Sequence, residues 1–232
     1  MFENMCGVAI PFWLPIDFNI SMWKYFLIFC NAYNLGYILP KGASVTILYY
    51  GFLVFAVDRI DFLISIFEEL NPRMEEKKAR EKFKFCVEYY TEIARLVDDI
   101  NDTVGVIFAP MQNGLVSIII AVLEYQALMG KGAIAFFPLS LWLILQAVAC
   151  RCGQTLEDAS TRLRSKVYGM PWYQMKISFQ KDFRIFHAQV QKGFHLKMKP
   201  SIFMNMEYYY QFMNGSYSIL MFLVNMERKN MK

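Results

Sequence analysis

The chain has 232 residues, 56% of them hydrophobic, 17% aromatic and only 19% charged, with a net charge of +4. Soluble domains run at about 45–50% apolar and about 25% charged, so this balance excludes disorder and an ordinary cytosolic enzyme, and it does not call for nucleic acid. Five scattered cysteines, an odd number, exclude a disulfide framework.

In chain order, residues 1–22 lack the basic start and small-residue cleavage site of a signal peptide, and Pro11 and Pro15 mark a loop. Lys24 and Lys41 flank an uncharged stretch; the 18 residues from one lysine to the other reach about 27 Å as a helix, close to the ~30 Å of a bilayer core. A second apolar run, 42–57, leads directly into Asp58, Arg59 and Asp61. Pro40-Lys41-Gly42 is too tight to join two crossings, so one crossing followed by a helix that leaves the membrane is expected. Residues 71–102 mix both signs of charge, as a solvated helix does. Phe83, Val87, Tyr90, Ala94 and Val97 recur at helical spacing and mark one packed face.

Residues 103–129 are apolar except for Glu124, with a kink expected at Pro110. After the Gly130-Lys131-Gly132 turn, residues 133–150 carry no charge. Two long apolar helices joined by three residues predict an antiparallel membrane hairpin. Residues 201–226 form the last apolar run, and it holds Asn205, Gln211, Asn214, Ser216, Ser218 and Asn225. That many amides and hydroxyls predict a helix that borders water or partners rather than lipid. Seven basic residues fall between Arg73 and Arg95 and ten between Arg151 and Lys199, against Lys131 alone in the hairpin turn. The positive-inside rule places both basic stretches in the cytoplasm and predicts four crossings.

The expected organisation is an all-α polytopic membrane bundle with cytoplasmic helical extensions, which the resemblance given below makes an anchor-like domain. Its parts are an outer loop (1–21), a membrane helix with cytoplasmic continuation (22–70) and a cytoplasmic helix with the second membrane helix (71–132). A third membrane helix with cytoplasmic end (133–170), a cytoplasmic helix (171–199), the last, pore-type helix (200–226) and an outer tail (227–232) follow. An outer start without a signal peptide suggests the C-terminal part of a longer membrane protein, or a short form of one.

Cys150-x-Cys152 has no histidine at zinc spacing, because His187 and His195 are far along the chain; two buried thiols are the expected reading, with no metal and no cofactor. No G-x-S-x-G, H-E-x-x-H or Walker A run is present, so no enzyme is expected. Gln211, Asn214, Ser218 and Met221 share one helical face and are candidate pore-lining residues, with packing against neighbouring helices as the plainer alternative. Tyr25, Phe29, Tyr33, Phe136, Phe137, Ser140 and Leu141 are candidates for an apolar ligand pocket, with ordinary helix packing as the alternative for each. Asp98, Asp99 and Asp102 read as a solvated face, or as a cation-concentrating cluster near a cytoplasmic exit. Lys181, Arg184, Lys192, Lys197 and Lys199 are placed to meet anionic lipid.

From residue 150 onward the chain resembles the insect odorant receptors. Cys152-Gly153-Gln154-Thr155-Leu156, then Ser160, Leu163, Tyr168 and Pro171-Trp172-Tyr173, are similar to the signature stretch of that family. Lys199-Pro200 and Ser216-Tyr217-Ser218 match motifs around its last helix, and Pro11 to Asp17 is similar to its outer loop before the fourth helix. The chain departs from the family in holding only the last four of seven helices, and in having Tyr89-Tyr90 where a histidine is usual. The resemblance implies a plasma-membrane, multi-pass subunit of an odorant-gated, non-selective cation channel. It also implies a hetero-tetramer with a shared co-receptor and a volatile apolar ligand. Residues 42–67 then become buried anchor helix, and 22–41 the first crossing. A gustatory-type receptor of the same architecture and an unrelated four-helix membrane protein stay open beside it.

Overall fold

In a computed structural model, the described residues are Tyr25, Phe26, Phe29, Cys30, Tyr33 and Tyr37, then 39–70, 74–105, 108–128, 132–198 and 202–230. The chain divides into two compact units, 1–49 and 50–232, each taken by itself below.

Six α-helices carry almost all of the described chain: α1 (Leu39–Glu68), α2 (Glu76–Val104), α3 (Phe108–Leu128), α4 (Gly132–Gly169), α5 (Ile177–Val190) and α6 (Met206–Asn230). A 3₁₀ turn (Trp172–Gln174) precedes α5, and a two-stranded antiparallel hairpin, β1 (Lys197–Met198) and β2 (Ile202–Phe203), precedes α6. The protein is all-α, as its sequence predicts. α1 begins in the first unit and ends in the second. Pro40 lies in its first turn, where a missing N–H leaves no bond unmade.

Within 50–232, four helical segments form a bundle with alternating three- and four-residue spacing. On α1 the buried positions are Leu53, Ala56, Ile60, Leu63, Phe67 and, just beyond, Leu70. On α2 they are Ala79, Phe83, Cys86, Tyr90, Ile93, Val97 and Ile100. The second half of α4 buries Gly153, Leu156, Ser160, Leu163 and Val167, with Met170 after it; α5 buries Phe179, Phe183, Phe186 and Val190. A repeat averaging 3.5 residues keeps one seam facing its partners along the whole length. Aromatic rings lock the layers: Phe67 stacks on Phe186 at 5.5 Å, and Phe83 meets Phe179 at 4.8 Å and Phe186 at 5.6 Å. Outside the seam, ion pairs such as Arg162–Asp61 at 2.7 Å and Arg59–Glu92 at 3.8 Å tie neighbours together. Lys82–Glu69, Lys166–Glu68 and Lys176–Glu76 pair as well.

The second region is a lobe of α3, the first half of α4, and α6. Val116, Ile120, Leu139 and Phe212 form its centre, with Leu123, Trp142, Leu143, Tyr208 and Met213 around them. Its outside is apolar: Leu115, Ile118, Leu128, Phe136, Phe137 and Ile144 are all exposed.

Two expectations change in detail. The 103–129 run is not one kinked helix: α2 stops at Val104, and α3 starts afresh at Phe108, so Pro110 sits in a first turn that tolerates it. Val87 and Ala94, expected on the packed face of α2, are only half-buried, because the seam drifts to Cys86 and Ile93. Among the described residues, one helix, running from Ala135 through α4, is long and apolar enough to cross a bilayer; Asn113–Leu128 is a shorter apolar helix. The expected turn at 130–131, the stop at Asn71-Pro72 and the loop around Pro11 lie outside the described residues, as does most of the expected first crossing.

Candidate functional site

The last helix has two opposed faces. Phe212, Ser216 and Leu220 are buried against α3 and α4. On the other side Gln211, Asn214, Ser218 and Met221, the candidate pore residues, are all exposed. The same four-three spacing extends their line to Glu207 at the foot of the helix and to Asn225 near its end, and both are exposed. Five of the six positions are polar, and Met221 is the apolar exception. Ser218 donates to the Asn214 carbonyl at 2.9 Å, which spends its hydroxyl hydrogen inside the helix and leaves oxygen lone pairs facing out. Glu207 and Asn225 belong to the line for the same periodic reason as the other four, but each falls at an end of the apolar run.

Beside this line lies a cleft of about 400 Å³ between α3, α6 and the hairpin. Its walls include Asn113, Ser117, Met198, Tyr208, Gln211 and Gly215. Under it the buried Gln146 amide donates to Asn113 Oδ1, and Asn113 Nδ2 points at Met198 Sδ, 3.1 Å away. At the far end of the lobe Tyr125 hydrogen-bonds Glu227, and Glu124 is half-buried rather than free at the surface.

The candidate ligand residues fall in both units. Tyr25, Phe29 and Tyr33 of the first unit are exposed, and Tyr33 stacks on Tyr37 at 5.1 Å. In the second unit Phe136, Phe137, Ser140 and Leu141 are exposed on the early turns of α4, and Ser140 donates to the Phe137 carbonyl at 2.8 Å. None of the four second-unit residues lines the cleft beside α6.

The signature residues gather at two places. At one end of the bundle Trp172 stacks on Phe183 at 5.8 Å, the Arg184 guanidinium sits 5.7 Å over the Trp172 ring, and Tyr168 meets His187 at 6.0 Å; Tyr173 is exposed. At the other end Gly153, Gln154 and Ser160 face the hairpin that feeds α6. A Cβ on Gly153 would strike the Met204 carbonyl, so only glycine allows this approach. Ser160 Oγ, buried, accepts the Phe194 N–H at 2.7 Å. Gln154 Oε1 faces the Met206 N–H at 3.5 Å, at the first turn of α6, and Gln154 Nε2 donates to Asp158 at 2.9 Å. Pro200 and Lys199 lie outside the described residues. Of Ser216-Tyr217-Ser218, the first is fully buried, the second projects outward and the third joins the polar line.

Asn101 of α2 was not among the sequence candidates. Its Nδ2 donates to the His195 carbonyl at 3.1 Å, and its Oδ1 accepts the Lys197 N–H at 2.8 Å. An amide next to a seam position was the available signal, since burying one requires partners. Asn205, a polar residue noted only as part of the last run, caps α6 by accepting the Tyr208 N–H at 3.0 Å.

Burial raises two titrations in the bundle. The Cys86 thiol is pushed up to about 12 by desolvation, against a smaller opposing pull from Lys82. The Tyr90 phenol is likewise pushed up to about 12, by burial first; Arg164 opposes and Asp98 assists. Tyr90 donates to the Gln189 carbonyl at 3.1 Å. Asp98, Asp99 and Asp102 are exposed on α2, as are Lys181, Arg184, Lys192 and Lys197 on their segments. Cys150 is buried and Cys152 half-buried, both as free thiols, and among the described residues no histidine, cysteine and carboxylate cluster gathers at metal-holding distance.

An all-α chain with an outwardly apolar lobe, a charged bundle and a polar line on its last helix is the class the geometry defines. Residues 4–217 match the family model described as 7tm Odorant receptor, and the chain belongs to that family. It is 26% identical to odorant receptor 85c of Drosophila melanogaster over 213 residues, covering 87% of this chain and 53% of that protein. It is also 26% identical to odorant receptor 85b of the same fly over 201 residues, 84% of this chain and 51% of the relative. The chain thus spans about half the length of the curated relatives it matches.

Proposed function

We propose that the chain serves in an odorant receptor, as the pore-bearing part of an odorant-gated, non-selective cation channel that assembles with a shared co-receptor in the plasma membrane. Family membership supports the receptor role and the membrane setting. The observation that carries the channel reading is the line Glu207, Gln211, Asn214, Ser218, Met221 and Asn225. It lies opposite the packed face of α6, in a lobe whose other outward side chains are mostly large and apolar. Amides and a carboxylate turned to lipid would each stay unpaired at a cost of several kcal/mol; turned to a shared aqueous path they stay hydrated.

In this reading the last helices of neighbouring subunits surround the path. Oxygen atoms of Gln211, Asn214 and Ser218 replace part of a cation's water shell, and the Met221 side chains form the dry constriction. Polar oxygens without a close-fitting cage favour cations over anions but discriminate little among cations. Phe136, Phe137, Ser140 and Leu141 of the second unit offer apolar and aromatic surface for a volatile ligand, with the serine hydroxyl as the polar handle; Tyr25, Phe29 and Tyr33 of the first unit, taken by themselves, offer surface of the same kind. The chain crosses the membrane several times, and the bundle stands in the cytoplasm.

The experiment is current recording from cells that express the receptor with its co-receptor, exposed to a panel of volatile alcohols, esters and aldehydes. Evoked cation current is expected. Asn214→Leu should change single-channel conductance or the relative permeability of cations. Unchanged permeation in a variant that still reaches the surface removes Asn214 from the path.

A further inference from the structure

We propose that Asn101, Gly153 and Ser160 are positioning residues that pin the foot of α6 to the cytoplasmic bundle and thereby hold the resting pore closed. The proposal rests on the channel reading above.

Along the seam of α4 the core positions continue the three-four spacing through Leu163, Ser160, Leu156 and Gly153. A hydroxyl and a bare backbone therefore stand at positions where the bundle elsewhere places apolar groups, most of them large. Two such small groups would weaken an ordinary core, because each leaves less apolar surface to bury. Here they create a seat. α5 ends at Val190, and the backbone that follows occupies the place along the bundle axis where α5 stops, burying Phe194, Leu196, Met198 and Met204. Phe194 meets Tyr90 of α2 at 5.1 Å between ring centres.

Strand and loop backbone placed in a core has N–H and C=O groups that need partners. The seat supplies them from two helices. Ser160 takes the Phe194 N–H, and Asn101 takes the Lys197 N–H while donating to the His195 carbonyl. Gly105 and Gly153 let the hairpin lie flat against α2 and α4: a Cβ would strike the Lys197 carbonyl at the first and the Met204 carbonyl at the second. Gly193, at φ 67°, makes the turn into the seat. On the far strand the Met204 N–H closes back on the Leu196 carbonyl at 2.9 Å, and two residues later α6 begins. Glu207 and Gln211, the first positions of the polar line, follow within one and a half turns. Strands of two residues are too short to be rigid by themselves, so their position is set by the helices that grip them. α6 is thereby fixed at its foot in both height and rotation, and its rotation decides which side chains face the path.

The test uses the full chain with its co-receptor, and the variants Ser160→Ala and Gly153→Ala. Gly169→Ala is the control, since a Cβ there meets nothing. Amide hydrogen exchange over 194–206 in the detergent-solubilised complex should quicken about tenfold in both variants and not in the control. Odorant-free current, normalised to surface-labelled receptor, should rise about threefold. A purely structural role would lower surface receptor or current, and it would not raise the resting current of each surface receptor. Should Gly153→Ala fail to fold, Ser160→Ala alone decides. Faster exchange with unchanged or smaller resting current overturns the positioning role, and unchanged exchange overturns the pinning itself. A wild-type complex that passes no odour-evoked current removes the channel reading instead, and this proposal goes with it.

Discussion

The bundle and the lobe are built from the same kind of helix and differ in where they put their apolar side chains. On α2 most apolar residues lie on or beside one seam, Phe85 being exposed, and the other outward positions carry Lys84, Glu88, Glu92 and Arg95. On α3 and the first half of α4 the seam is apolar and so is the outside; Phe137 is 77% exposed and Ile118 54%. A helix in water hides its apolar face and shows charge, whereas a helix in hydrocarbon has no reason to do so. The contrast supports the proposed assignment of the two regions to two solvents. α6 breaks the lobe's pattern along a single line and α1 breaks the bundle's, with Phe52, Val54 and Phe55 exposed near its entry to the second unit.

The largest expected effect breaks the bundle side of the contrast. Phe183→Ala removes a fully buried ring that touches Phe83, Trp172 and Phe179, and should lower stability by about 3–5 kcal/mol. Denaturant titration of helical signal in micelles reads it. On the lobe side, Ile144→Arg places a charge on the outer face of α4 and should reduce membrane insertion by about 2.5–3.5 kcal/mol; a glycosylation-reporter insertion assay measures the fraction inserted. The same charge placed on the bundle as Glu88→Arg should leave insertion unchanged. If both substitutions behave alike, the assignment to two solvents fails.

Smaller effects sharpen the picture inside the bundle. Cys86 and Tyr90 have raised folded-state pKa values, so the folded state holds their protons longer than the unfolded state does. Their contribution is complete at neutral pH and is lost as pH climbs from about 9 toward about 12. Alkaline titration of the bundle's helical signal should show this, and Cys86→Ala should weaken the pH dependence. Iodoacetamide at pH 8 should leave Cys86 unlabelled until denaturant is added. The smallest effect is expected for Arg162→Ala. Its pair with Asp61 is about half exposed on both sides, so the change should stay within about 1 kcal/mol and fade at high salt.

Much of this was legible in the chain itself. Charge-dense and charge-free segments alternate along it, and that alternation separates bundle from lobe without any contact being known. The polar face of α6 was legible too, because Gln211, Asn214, Ser218 and Met221 need only the helical repeat to be aligned. Glu207 and Asn225, both inside the 201–226 run, extend the line once the helix is seen to span Met206–Asn230. The break at Gly105 was hidden, because Thr103 to Met129 reads as one apolar run, and the Lys197 carbonyl that stands against Gly105 comes from 92 residues away in the chain.

The sequence by itself determined the helices, their apolar faces and the solvents they suit, since each follows from local composition and a period of three to four residues. Only the tertiary structure decided the seat of the hairpin. Asn101 and His195 are 94 residues apart, and Ser160 and Phe194 are 34 apart. Hydrogen bonds across such distances leave no periodic trace, because they depend on which helices pack together and at what height. The same packing decides why residue 153 is glycine: the obstacle is a carbonyl from residue 204, which only folding brings alongside.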